Sequence, residues 1–182
     1  MAIQRVKQGV KYDTCDNYAY EGNETFKHFL GKKYKYNEPE DRHCVYDIAL
    51  ESKGKTYYIE IKLKFSKVFY DNYTFITTKK IGEINEFMKS HPNDEFLYFN
   101  YYPMLGKAVL IDVTEPREYK TTWVYNMNST ADNPDIEPYD MWVEMALLPM
   151  NDPSTCRIYN YCSPIAVMFN NEIYQYGKKI CS

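Results

Sequence analysis

Two apolar runs, CVYDIAL at 44–50 and TYYIEIKL at 56–63, flank the turn-like segment ESKGK. Runs of this length, rich in Val, Ile and Tyr and bounded by Gly and charged residues, predict a β-hairpin. With Lys53–Gly54 at the centre of the turn, the strands pair symmetrically about it, and Asp47 falls opposite Glu60. Facing side chains in such a pair have Cβ atoms about 4.5–5.5 Å apart, and like charges there are destabilising. Two opposed carboxylates do not serve the sheet. A divalent cation between them would remove the repulsion, and oxygen donors of this kind suit magnesium, manganese or calcium.

Strand side chains alternate between faces. One face of this hairpin carries Ile48, Leu50, Tyr57, Ile59, Ile61 and Leu63, which is wholly apolar and must be buried. The other carries Asp47, Glu60 and Lys62, with Val45, Ala49 and Tyr58 around them. Partial desolvation of such a group would raise a carboxylate pKa or lower that of Lys62. Perturbed acids and bases mark candidate functional sites.

A chain of 182 residues fits one domain most simply, or two small ones, and 45% hydrophobic residues suffice for a core. No apolar stretch approaches the roughly 18 residues of a membrane span. The start, MAIQRVKQGVKYDTC, lacks a signal-peptide core. Cys15, Cys44, Cys156, Cys162 and Cys181 form no metal-ligand spacing, and their odd number argues for free thiols in a reducing compartment. The expectation is a cytoplasmic protein with no membrane partner. The 20 tyrosines, with plentiful Asn and Lys, fit an AT-rich genome such as that of a virus or parasite, and for a virus the host-cell cytoplasm would be the location. Net charge is −3, yet residues 1–90 hold 16 Lys+Arg against 13 Asp+Glu, and residues 91–182 hold 6 against 12. The half with the hairpin is the basic half, and phosphate binding needs only a local positive surface.

Along the chain, residues 1–16 read as a polar lead-in and 17–31 as a helix with Phe26, Phe29 and Leu30 on one face and Gly31 as its stop. A short strand over 32–36 and a loop precede the hairpin, and an irregular connection follows it. YTFIT is a strand; Thr78 is positioned to cap a helix from about 79 to 90, which His91–Pro92 ends. EFLYFNYY and KAVLIDV are strands. Helix, hairpin, strand, helix, strand, strand is the order of an α/β fold: a central mixed sheet flanked by helices. Residues 126–140 read as a polar loop, and MWVEMALLPM as a short helix or a strand. CRIYNY and a hairpin about Asn170–Asn171 close the chain. The expected division is 1–16 as lead-in, 17–113 as the α/β core, and 114–182 as a β-rich C-terminal extension packed on it.

Glu24 in the first helix, Asp47 on one hairpin strand, Glu60–Ile61–Lys62 on the next, and FITTKKIGEINEFM after them together resemble the PD-(D/E)XK nucleases. That group includes restriction endonucleases, Holliday-junction resolvases and recombination exonucleases, and the resemblance covers about residues 17–113. Tyr46 stands where the motif has proline. The resemblance implies a restriction-endonuclease-like core and magnesium- or manganese-dependent hydrolysis of DNA. It implies Asp47 and Glu60 as metal ligands, with the Ile61 carbonyl assisting. Lys62 would then polarise the attacking water, and Glu24 would reach the site from the helix. A homodimer is implied only if both strands are cut.

The triplet alone carries little, since Glu51–Ser52–Lys53 and Glu118–Tyr119–Lys120 repeat it in a turn and a loop. Only 60–62 lies in an apolar strand with an acid opposite. On an exposed face the same residues would be an ion pair worth about 0–1 kcal/mol. Glu21, one turn before Glu24, is the other helix acid that can face the hairpin. Lys79 and Lys80 open the second helix, against its dipole, and are candidates for phosphate contact. His28 and His43 read as structural or surface residues, and Trp123 and Trp142 as core or interface residues. The alternative function is a non-catalytic protein of the same fold, a viral binding or structural component whose acidic second half and polar loop meet a partner.

Overall fold

The structure is a computed structural model that describes residues 14–31, 33–41, 44–129, 139–169 and 172–181. Residues 1–13 of the expected lead-in, His43, most of the polar loop, and the Asn170–Asn171 turn lie outside the described residues.

The chain is α/β, with two helices and a predominance of strands among the described residues. Its central sheet has six strands, in the order β1 (Tyr36–Asn37), β2 (Ile48–Ser52), β3 (Lys55–Leu63), β5 (Glu95–Tyr102), β6 (Lys107–Asp112), β9 (Cys156–Asn160). Strands β3 and β5 run parallel and the other neighbours antiparallel, so the sheet is mixed. A parallel pair needs a crossover. Here the connection runs through β4 (Tyr73–Thr77) and helix α2 (Thr78–Lys89). The cap of α2 is Thr77, one residue earlier than the spacing predicts: its hydroxyl accepts from the Lys80 amide at 3.2 Å.

The β2–β3 hairpin forms in the predicted register, with Ile48 opposite Ile59, Leu50 opposite Tyr57 and Ser52 opposite Lys55. Both turn residues have positive φ, 52° at Lys53 and 76° at Gly54. That left-handed pair matches the right-handed twist of the strands it joins.

Helix α1 (Thr14–Leu30) begins inside the expected lead-in. It covers the apolar face of the hairpin. Phe26, Ile48, Leu50, Ile59, Ile61, Phe99, Tyr101 and Ala108 form that core, with Phe26 and Phe99 ring centroids 5.0 Å apart. The helix lies so close to β3 that a Cβ on Gly22 would stand 2.9 Å from Ile61 Cγ2.

The opposite face is covered by α2 and a second, three-stranded sheet, in the order β4, β8 (Tyr139–Pro149), β7 (Thr121–Ser129). Ile76, Ile84, Met88, Phe96, Tyr98, Ile111, Ala146 and Leu148 lie in this second core. MWVEMALLPM is thus a strand, and the expected polar loop begins and ends as strand at 126–129 and 139–140. The 113/114 division is not an architectural seam: β9 completes the central sheet, while β4 leaves the first part to pair with β8. A third sheet, β10 (Val167–Phe169), β11 (Glu172–Gln175) and β12 (Lys178–Cys181), ends the chain. It is tied down at Ser163, whose amide donates to the Tyr101 hydroxyl at 2.9 Å and whose carbonyl accepts from Tyr176. No helix among the described residues is long and apolar enough to cross a membrane.

Candidate functional site

Sequence reasoning places Asp47 opposite Glu60 on one face of the hairpin. The ladder ends one residue short of that, at Ile48. Asp47 instead turns to the free edge of β3. Its amide donates to the Ile59 carbonyl at 2.9 Å, and its Oδ2 accepts from the Ile61 amide at 2.6 Å. The carboxylate thus satisfies a strand N–H that β2 no longer reaches, which is why the chain tolerates an acid here. Ile61 joins the site through this N–H, while its side chain is buried on the α1 side.

Glu60 points to the other face and is 2% exposed. A buried carboxylate needs charge partners, and two lysines supply them. Lys62 Nζ lies 2.7 Å from Oε1, and Lys80 Nζ lies 3.3 Å from Oε2. Lys80 comes from the first turn of α2, and its amine also donates to the Val45 carbonyl at 3.4 Å. The two carboxylates feel each other. Loss of hydration and, next, the charge of Glu60 push the Asp47 acid up to about 6; Lys62, the Ile61 N–H and Lys80 oppose the rise. The expected group of two acids and an amine is therefore assembled, in an edge-and-face arrangement.

The other candidates separate. Glu24 is paired with Lys27 at 2.8 Å, and Lys27 is in turn bonded to Glu38. The buried acid of α1 is Glu21, at 4% exposure. Among the described residues, no three His, Cys, Asp or Glu side chains come together as a metal cluster. Lys79 is mostly exposed and pairs loosely with Glu83 at 3.7 Å, so of the two lysines that open α2 only Lys80 belongs to the site. His28 is exposed. Trp123 and Trp142 are 63% and 61% exposed on β7 and β8, so neither is a core residue.

Three residues of the site were not singled out by sequence. Lys64 continues the Glu60–Lys62 side of β3. Its amine donates to the Phe75 carbonyl at 3.1 Å and lies 6.0 Å from the Tyr98 ring centroid. Burial and the neighbouring Lys62 charge lower its pKa to about 8. Tyr98 and Asn100 stand beside Glu60 and Lys62 on β5. The Tyr98 hydroxyl donates to the same Phe75 carbonyl at 3.1 Å. It is held well above the usual phenol range by burial and by the acids nearby, Glu60 foremost. Asn100 is 0% exposed. The available signals were the two-residue spacing of Glu60, Lys62 and Lys64, and the single amide within the apolar run EFLYFNYY.

The donor set suits a small, hard cation in kind. Magnesium takes one or two protein carboxylates and completes its shell with water and substrate phosphate oxygens. Asp47 is a desolvated acid whose abnormal pKa a cation would reverse. Glu60 would have to exchange a lysine contact for the ion. The chain matches no protein-family model, no curated protein and no solved structure.

Proposed function

We propose that this protein is a metal-dependent nuclease of the restriction-endonuclease-like, PD-(D/E)XK kind, hydrolysing DNA phosphodiester bonds. The observation that carries this is Asp47. An acid held near pKa 6 beside a buried glutamate, with Lys62 at hand, is costly to the fold and useful for holding a cation against a phosphate. Asp47 and Glu60 would hold magnesium or manganese, which supplies an activated water and a Lewis acid when bound. Lys62, half-exposed and anchored on Glu60, places a compact positive charge where the attacking water and the phosphoryl oxygens would meet. Lys80 orients Glu60. The test is divalent-dependent cleavage of DNA by the purified protein, lost in folded Asp47→Ala and Lys62→Ala variants. Undiminished cleavage by both variants would remove the assignment.

A second function is favoured by one observation. Trp123, Tyr125 and Trp142 project from β7 and β8 with 63%, 47% and 61% exposure, and aromatic residues of this kind are enriched in interfaces. A non-catalytic, viral binding or structural role would use that surface. Calorimetry with manganese separates the two: no binding at millimolar metal, with no cleavage, selects the second.

A further inference from the structure

We propose that Lys64 and Asn100 form a second anion site beside the carboxylate pair, taking a phosphoryl group of the substrate next to the one that is cut. Two independent observations point to it. Among the described residues no carboxylate lies within 4.0 Å of the Lys64 amine, whose one hydrogen-bond acceptor is the Phe75 carbonyl at 3.1 Å. Buried ammonium groups are ordinarily paired. Asn100, in register with Lys62 on the adjacent strand, is 0% exposed, and neither its amide nitrogen nor its amide oxygen has a hydrogen-bond partner.

A buried amide left without partners is expensive to keep, and a sheet interior gives no reason for one. The Lys64 amide donates to the Tyr101 carbonyl at 2.7 Å, which carries the β3–β5 ladder one residue further. Lys62, Lys64 and Asn100 therefore share one face of two adjacent strands. Lys62 already compensates Glu60. Lys64 does not, and loss of hydration and, next, the neighbouring Lys62 charge disfavour its protonated form. A tetrahedral oxyanion would neutralise Lys64, separate the two ammonium groups, and accept from the Asn100 amide nitrogen. Phosphate is that anion for a nuclease, so the identity of the ligand rests on the proposed function, while the anion site rests on the unmet donors.

The experiment is a calorimetric titration of the full chain, without metal, using inorganic phosphate and a 5′-phosphorylated dinucleotide. Lys64→Met and Asn100→Leu are compared with Lys79→Ala, and folding is checked by circular dichroism. Asn100→Leu exchanges the unbonded amide for an apolar side chain of similar size, a change the fold should accept. The parent is expected to bind phosphate saturably. Lys64→Met and Asn100→Leu should each weaken it by about tenfold, the value of one charge-assisted hydrogen bond, and Lys79→Ala by no more than about twofold. Unchanged affinity in either folded variant, or no saturable binding by the parent, overturns the site. Tighter binding of the dinucleotide than of inorganic phosphate assigns it to a polynucleotide; the reverse order overturns that assignment. The titration needs no turnover, so its failure and a failure of the cleavage assay are separate results.

Discussion

Lys80 reaches from the first turn of α2 to within 3.3 Å of Glu60 Oε2, across the face of the central sheet. A lysine opens a helix poorly, because its charge opposes the dipole. The buried carboxylate explains its place. Glu60 also holds Lys62 at 2.7 Å, so one acid at 2% exposure is shared by two amines. Glu60→Ala should therefore cost about 2 kcal/mol, because Lys80 would keep as acid partner only the exposed Glu83, at 3.8 Å. Lys62→Ala should cost less than about 1 kcal/mol, since that lysine is half in solvent. Urea unfolding of both variants at neutral pH checks the ratio. Equal losses would mean that the Lys80–Glu60 pair is not held in the folded protein.

Asp47 gives a pH dependence with a defined sign. Its acid is raised from 3.8 to about 6 in the folded chain, so between these values the native state binds the proton that the unfolded state releases. Stability contributed by this group is thus greatest at low pH and falls as pH rises through about 6. Asp47→Asn keeps an oxygen for the Ile61 N–H and removes the charge. It should stabilise the protein at pH 7.5 by about 1 kcal/mol, after allowance for screening at a partly exposed carboxyl. The gain should vanish near pH 4. Thermal melts of the two proteins across this range decide it; a gain that does not shrink with acid would point to another cause.

The hairpin was legible because three signals agree there: alternating apolar residues, a Lys–Gly turn and bounded length. Its register follows from the turn alone. The end of the ladder does not, because whether Asp47 stays in the strand or turns to bond the Ile61 N–H depends on where β1 and α1 let β2 begin. Helical spacing leaves Glu21 and Glu24 near one face and does not separate them. In the structure Glu24 pairs with Lys27, which also bonds Glu38, while Glu21 is buried. Residues 114–182 were hardest to place. Their strands pair with distant partners, β8 with β4 and β9 with β6, and long-range pairing leaves no local trace. β12 was missed altogether, although its turn, Tyr176–Gly177, repeats the left-handed pair seen at Lys53–Gly54.

Gly22 sets the distance between α1 and β3. A methyl group there would lie 2.9 Å from Ile61 Cγ2, closer than real contacts come. Alanine would gain about 1 kcal/mol in helix preference. Overpacking costs typically 1–3 kcal/mol and here acts on the residue whose N–H holds Asp47. Gly22→Ala should therefore be destabilising on balance, and should weaken manganese binding if that binding depends on Asp47. A stabilised Gly22→Ala would show that α1 can shift away from the strand at little cost.

The turn of the same hairpin is open to improvement. Lys53 sits at φ 52°, which a lysine adopts reluctantly and an asparagine readily. Lys53→Asn creates the Asn–Gly pair preferred in this turn type. It should stabilise the chain by about 0.5 kcal/mol, while Gly54→Ala, at φ 76°, should destabilise it by about 1 kcal/mol or more. Neither residue touches the site, so metal and phosphate affinities should stay unchanged.

Trp123 and Trp142 are the chain's two tryptophans. Both lie largely in solvent, with the Trp142 ring 5.3 Å from that of Tyr125. Intrinsic fluorescence of the folded protein should therefore peak close to the emission of the unfolded chain and be quenched readily by acrylamide. If β7 and β8 form a partner surface, the ligand that covers it will shift this emission to the blue and protect it from quenching. A DNA substrate that occupies only the Asp47–Glu60 region will do neither. Addition of an uncleaved oligonucleotide in calcium thus reports whether nucleic acid also crosses the aromatic face. A blue-shifted, protected spectrum of the free protein would mean that the two indoles are already covered, by a second copy of the chain, and a concentration series would reveal the dimer.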